Sequence, residues 1–525
     1  MVVRPHLPAT EQLLVEGGDA RIALDPDSGL NQYGCSPFPD PDGAAFGSAT
    51  ASIISPAGLA AANHLRHRLL LASGAEPRAA TYAREINRTR GELVRWCGVA
   101  DLPGLDVVFA ASGTDIHLIS AQLAGGAESM PALTIMADAA ETGSCVPAAL
   151  AGRHFSTRST LGNTVAEGAP IADDGAMEVV TTPIRHADGF ARPTADIDAE
   201  VESLATGAAA MGRRVLLILI DVSKTGLIAP SPGCVLALHR RLPDTVDVLV
   251  DACQFRIAPS TLRAYLAHGF MVALTGSKFV TGPTFSGALL IPASIARRLR
   301  GRPLPRALHA YSARADWPQG WAAAERLDNA ANFGLLLRWE AALQELRAFR
   351  SAPENAVARF LQAFARAVRR RLLSDPLFEP LPLSPLDRRP LAAATSWDHI
   401  PTIFPFLLYP PGSSAGKTPL NHEKTMQVYR LLQVDLVGRR DLDRTGFIGD
   451  IAALRCQLGQ PVACGNRDGA PLSALRLCAS ARLIVEATAQ DGRNASAVIE
   501  RALAALDKTA LLVRSLPNFN PPRTP

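Results

Sequence analysis

"LTGSKFVTGPTFSGALLIP", residues 274–292, sets one lysine, Lys278, between small hydroxylated residues, just after an apolar run and ahead of a Gly-Pro turn. The chain has only five lysines, at 224, 278, 417, 424 and 508, against dozens of arginines, so its basic charge is carried by arginine. A lysine at the end of an apolar strand therefore needs a chemical reason. Desolvation and neighbouring charge can leave its amine neutral, and a neutral amine condenses with a carbonyl to a Schiff base.

Outward from that stretch, short apolar runs alternate with helical segments over roughly residues 105–292. The runs predicted as strands are "LDVVFAAS" (105–112), "ALTIMAD" (132–138), "MEVVTTPI" (177–184), "RVLLILIDVS" (214–223), "VDVLVDA" (246–252), "FMVALTGS" (270–277) and "GALLIP" (287–292). Continuous apolar runs suit strands covered on both faces, as in a mainly parallel sheet. Intervening pieces such as "PSTLRAYLAHG" have helical periodicity and stop at Gly. The fold class is α/β. Residues 322–373 are expected as long helices leading out of this unit, and the Pro-rich piece 376–411 resets the pattern. A smaller mixed unit follows, with a strand over 474–488 and a closing helix. The expected division is an irregular segment at 1–60 that wraps the site, a large unit at 61–330 and a small one at 331–525.

Three features fall at ends of these strands, where open α/β sheets place ligands. "SGTD", Ser112 to Asp115, joins a strand to a helix and suits an anion held by backbone amides, although it also reads as a turn with an ordinary helix cap. "VDACQ" ends a buried strand on Asp251 with Gln254 three residues on; the alternative for Asp251 is a helix cap. Lys278 ends the next strand in order, so it can share a crevice with Asp251. An amine, an anion cradle and a carboxylate are what a phosphorylated aldehyde with a basic ring nitrogen requires, and pyridoxal phosphate is such a molecule.

The order SGTD, ETGS, DVSKTG, DACQ, TGSKF resembles fold type I pyridoxal-phosphate (PLP) enzymes, in particular the class V aminotransferase superfamily with its cysteine desulfurases. The resemblance spans about residues 60–510. It implies a mainly parallel large domain, a smaller α+β C-terminal domain and a homodimer. Lys278 would carry the Schiff base and shuttle the proton at the substrate α-carbon. Asp251 would pair with the pyridine nitrogen, and Gln254 and Ser223 would stand near the phenolic oxygen. Ser112, Gly113, Thr114 and Asp115, with Thr275 and Ser277, would hold the phosphate. Arg476 in "LRLCAS" would bind the substrate α-carboxylate, a task suited to a bidentate guanidinium; the other reading is a surface arginine. Thr142 stands where many relatives place a ring-stacking His, and Ser277 replaces the His that often precedes the Schiff-base lysine.

An amino acid or other primary amine is the expected substrate, with transamination the leading reaction and lyase, decarboxylase or desulfurase chemistry the alternative. A desulfurase would need a mobile cysteine ahead of Arg476; Cys456 and Cys464 are near enough in sequence but read as buried structural thiols. A non-catalytic protein on the same fold would have no use for Lys278, Asp251 and Arg476 together. The segment "NQYGCSPFPDPDG" (31–43), with Tyr33 and Phe38, is a candidate lining for the substrate entrance.

Composition narrows the partners. Hydrophobic residues make up 48% of the chain, charged ones 19%, and the formal net charge is +4, an ordinary globular balance that argues against nucleic acid. The eight cysteines show no CxxC or Cys/His spacing, so no metal is expected and a reducing cytoplasm fits. The most apolar run, "VLLILI" at 215–220, is too short to span a bilayer, and the N-terminus lacks a signal-peptide core.

Overall fold

The computed structural model describes residues 7–516 except 48–49, 126–131, 172–176, 303, 305, 394–395, 413–417, 438–448 and 468. The first sheet is built from β1 (Asp106–Ala110), β2 (Leu133–Ala137), β3 (Glu178–Thr182), β4 (Val215–Asp221), β5 (Val246–Ala252), β6 (Met271–Thr275) and β7 (Gly287–Ile291). Their order is β1-β7-β6-β5-β4-β2-β3, with Ile228–Ala229 added beside β4. All pairs along this path are parallel except those of β7, which runs antiparallel to both β1 and β6.

Alternation along each strand sends side chains to two separate cores. Val215, Leu217 and Leu219 of β4 join one, and Leu216 and Ile218 the other. Both faces are therefore apolar and both are covered, which is why β4 reads as an unbroken hydrophobic run. The helices used below are α1 (Pro56–Ala72), α2 (Arg78–Trp96), α3 (Gly113–Ala124), α4 (Phe333–Arg350), α5 (Glu354–Leu373), α6 (His422–Leu432), α7 (Ala481–Thr488) and α8 (Ala495–Ser515). Helix α4, expected to lead away from the sheet, instead packs against α1 and α2 as part of the helical layer of the first sheet. Fourteen of its residues are buried, so its sequence lacks a clear polar face.

A second, antiparallel sheet contains β8 (Phe378–Pro380), β9 (Ile403–Leu408), β10 (Gly459–Arg467) and β11 (Ala470–Cys478), in the order β8-β9-β11-β10. Helices α5, α6, α7 and α8 pack around it and one another. The strand expected over 474–488 is corrected here: β11 stops at Cys478, Ser480 caps α7 and its side chain accepts from Leu483 N. The uninterrupted apolar character of that stretch spans a strand-to-helix junction that periodicity alone does not locate.

The N-terminal segment is less irregular than expected. It forms helical turns at Thr10–Leu14 and Ala20–Ile22, and α1 begins at Pro56. Arg338 of α4, wholly buried, donates to Phe285 O (2.5 Å), Leu14 O (3.2 Å) and Gly17 O (2.8 Å), and also to Glu16 O, fastening this segment beside the loop that follows Lys278.

Candidate active site

The loop after β6 carries Lys278 and is pressed onto α4. Gly276 N donates to Ser286 O and Gly282 N to Gly276 O, each at 2.8 Å. A Cβ on Gly276 would stand 2.5 Å from Ala342 Cβ, and one on Gly282 2.6 Å from the same atom, so both positions need glycine for this close approach. Phe279, the next residue after the lysine, stacks on Trp397 at 5.4 Å and meets Phe349 edge-on at 5.2 Å. Thr281 and Phe285 hold φ of 66° and 72°, and Phe255, after Gln254, holds 55°. Such left-handed backbone at non-glycine residues costs energy and gathers where surrounding packing fixes a functional geometry.

Lys278 lines a cavity of about 180 Å³. Ser112, Gly113, Thr114, Thr142, Asp251, Gln254, Thr275, Ser277 and Arg476 line it too, so ten of the residues singled out in the sequence meet around one space. They arrive from the ends of β1, β5 and β6, from the loop after β2 and from β11 of the second sheet. At one wall, the N-terminus of α3 is capped by Ser112, whose Oγ accepts from Asp115 N at 3.3 Å. Gly113 lets the helix start approach β5 and β6 closely: a Cβ would fall 3.0 Å from Cys253 Sγ and 3.4 Å from Thr275 Cγ2. Thr114 Oγ1 accepts from Arg21 at 3.3 Å and keeps its own proton, whereas Thr275 spends its proton on Cys253 O at 2.6 Å.

At the floor, Asp251 is held well below the usual carboxylate range. Burial alone would raise it, but His117, Lys278 and the Cys253 amide outweigh that. Thr142 offers a buried hydroxyl with no partner among the described residues.

Two residues lie elsewhere than expected. Asp115 is enclosed behind the cavity, bonded to Ser112 and Thr160; its amide is used by the Ser112 cap, and burial and Asp19 raise its carboxyl to about 6. Ser223 is fully buried and donates to Glu141 Oε2 at 2.8 Å. Neither lines the cavity. Tyr33 does, edge-on to Phe285 at 6.0 Å, while Phe38 of the same segment is 53% exposed and off the cavity. Cys456 and Cys464 are buried, and burial pushes their thiols up to about 12 and about 11. Neither is on the cavity wall.

Sequence reasoning passed over Arg21, His117, Lys224 and Gln460, which also line the cavity. His117 could have been found, because it follows Gly113 by one helical turn; so could Lys224, as one of only five lysines. Arg21 and Gln460 carry no signal of that kind. Among the described residues no His/Cys/Asp/Glu cluster suits a metal, and no helix is long and apolar enough to cross a membrane.

No family model and no curated protein matches the sequence. Solved structures do resemble the chain. Mouse CSAD superposes over 89% of this chain and 83% of its own, at 15% identity and a TM-score of 0.50. A variant of the cystine C-S lyase C-DES, with glycine covalently linked to its PLP cofactor, matches over 89% and 99%, again at 15% identity and TM-score 0.50. The chain has the fold type I architecture of PLP-dependent enzymes. At this identity the likeness establishes the architecture, and the chemistry has to be read from the cavity itself.

Proposed function

We propose that this chain is a PLP-dependent enzyme acting on an amino acid or other primary amine, with amino-group transfer its leading reaction. One observation carries this: an amine, a charged carboxylate, a helix N-terminus and a buried guanidinium converge on a single cavity. When bound, the cofactor supplies an electron sink for the substrate α-carbon.

The residues present fit that group. The bare Gly113 and the N-terminus of α3, with Ser112, Thr114 and Ser277, suit a phosphate. Asp251, kept anionic, suits a protonated ring nitrogen, and Thr142 and Gln254, which line the same cavity, suit its other polar edges. Lys278 is the amine that attaches the cofactor and then holds the proton moved at the substrate α-carbon. Arg476, 2% exposed, receives the α-carboxylate. The burial of Cys456 and Cys464 supports transfer over desulfuration by a mobile thiol. A homodimer in the cytoplasm completes the reading, and light scattering on the purified protein checks its assembly.

The test is visible absorbance of the protein with PLP beside Lys278→Ala, then exposure to L-amino acids without an acceptor. A Lys278-dependent band and one equivalent of 2-oxo acid per site support transfer. Continuous release of pyruvate, sulfide or carbon dioxide moves the assignment to a lyase or decarboxylase. Absence of the band overturns the cofactor.

A further inference from the structure

Lys224 and Arg476 share one wall of the cavity. Arg476 Nη1 donates to Lys224 O at 3.2 Å and Nη2 to Gln460 O at 2.8 Å, so backbone carbonyls, not a carboxylate, hold this guanidinium. Its Nε has no partner among the described residues, and within them no carboxylate forms an ion pair with either side chain. The acid that acts on both, Glu141, is already saturated. It accepts from Arg185 Nε at 2.7 Å, Ser223 Oγ at 2.8 Å, Thr225 Oγ1 at 2.6 Å and Thr225 N at 3.1 Å.

Those bonds do more than consume Glu141. They clamp residues 223 to 225 from either side of Lys224, while Lys224 N donates to Glu141 O at 2.8 Å. The lysine therefore projects from a segment fixed by side chains behind it, as a preorganised binding group requires. Gly459, paired with Arg476 across the sheet, completes the arrangement, since a Cβ there would lie 2.9 Å from the guanidinium Nε.

Charge matching then decides what the wall is for. Arg21, at the helix end of the cavity, is matched by Asp19 at 2.6 Å, and Asp251 faces His117 at 3.4 Å with Lys278 also acting on it. Lys278 is taken up by the cofactor under the reading above. Two cations remain on the substrate side, partly or wholly buried and without an ion-pair contact among the described residues, Glu141 acting on both only at longer range, which is costly unless a ligand supplies negative charge. One α-carboxylate satisfies one of them.

We infer that Lys224 and Arg476 together form a subsite for two anionic groups, so the enzyme takes an amino acid whose side chain bears a second carboxylate. This rests on the PLP reading for the role of Lys278. Burial, Arg476 and Lys278 lower the Lys224 amine to about 8 against the opposing pull of Glu141 and Cys145, as expected of a cation short of counter-charge.

Calorimetry on the PLP-loaded protein tests it without turnover. Succinate and glutarate should bind about tenfold or more tightly than butyrate, the gain of one charge-assisted contact. Lys224→Met should erase that margin and Lys224→Arg should keep it. In turnover, the kcat/KM ratio of aspartate to asparagine, or glutamate to glutamine, should collapse toward one in Lys224→Met, mostly through KM. Equal binding of butyrate and the dicarboxylates by the wild type overturns the inference. So does a Lys224→Met enzyme that loses kcat for every amino acid with dicarboxylate affinity intact, since Lys224 would then move a proton. Failure of the cofactor reading shows separately, as a missing Lys278-dependent band, and the same calorimetric comparison is then made on the protein without PLP.

Discussion

The Nε2 of His117 lies 3.4 Å from Oδ2 of Asp251, while Nδ1 of the same ring donates to Gly113 O at 2.7 Å. A carbonyl only accepts, so Nδ1 carries a proton there, and Nε2 meets Asp251 as a donor only when the ring holds both protons. The imidazole facing Asp251 at the cavity floor is thereby anchored to the same helix turn that forms the anion cradle.

Removing the imidazole should weaken both ends of that arrangement. Asp251 has a depressed pKa in the folded protein, so its stabilisation is present at neutral pH and is lost as pH falls below the ordinary carboxylate range near about 4. His117→Phe should bring the folded value back toward the unfolded one, diminish that stabilisation and lower cofactor affinity. Unfolding free energy at pH 7, together with fluorescence titration of PLP, checks this; unchanged values for both would refute it.

Asp251→Asn keeps the shape and removes the charge. If the carboxylate stabilises charge developing in the cofactor, kcat should fall about 100-fold or more, as when one preorganised electrostatic contact is lost. A smaller loss, with KM carrying the effect, would give Asp251 a structural role instead.

Gly276→Ala forces a Cβ to 2.5 Å from Ala342 Cβ and 2.8 Å from Ser286 Oγ. Overpacking of this kind costs about 1–3 kcal/mol. The loop bearing Lys278 should shift, and the visible band should weaken together with the fall in stability. Ala342→Gly on the other side of the contact should restore part of both, and a double-mutant cycle by urea unfolding measures the coupling.

Glu141→Gln leaves the buried Arg185 guanidinium, 2.7 Å away, without its carboxylate. Breaking a buried pair on one side costs about 3–5 kcal/mol. Stability should drop by that order in chemical denaturation, and the margin for dicarboxylates should shrink as the segment around Lys224 loosens.

Lys224 gives a pH signature. Its folded pKa, about 8, lies below the ordinary lysine value, so between pH 8 and the unfolded value the unfolded chain binds more protons and stability rises with pH. Arg476, Lys278, Glu141 and Cys145 are the charged or titratable groups around it. Lys224→Met should therefore be more stable than the wild type at pH 7, by a gap that narrows at pH 9.5. Dicarboxylate affinity of the wild type should fall over the same range, as the ammonium is lost. A gap that is constant with pH would refute the assignment of the titration to Lys224.

The strand ends that matter were legible because chemistry interrupts pattern there. Lys278 breaks a long apolar alternation in a lysine-poor chain, Asp251 ends a buried strand, and Ser112 precedes a helix that needs a cap. Periodicity fails where two elements share one apolar character. Thus 474–488 read as a single strand although β11 gives way to α7, and α4 resembled a linker although it packs on the sheet. Asp115 and Ser223 matched a motif, yet a cap and a carboxylate clamp took their polar atoms first.

By itself the sequence determined the α/β layering and pointed to Lys278 and Asp251, since burial pattern and residue chemistry are local properties, while Arg476 was implied by the resemblance. Tertiary structure alone decided that Arg21, Lys224, His117 and Gln460 join them, residues far apart along the chain being closed up around one cavity by folding rather than by spacing. It also decided which charges there are matched. Asp19 reaches Arg21 and His117 reaches Asp251, whereas backbone carbonyls hold Arg476 and leave Lys224 beside it, and counter-charge is a property of what packs against a residue.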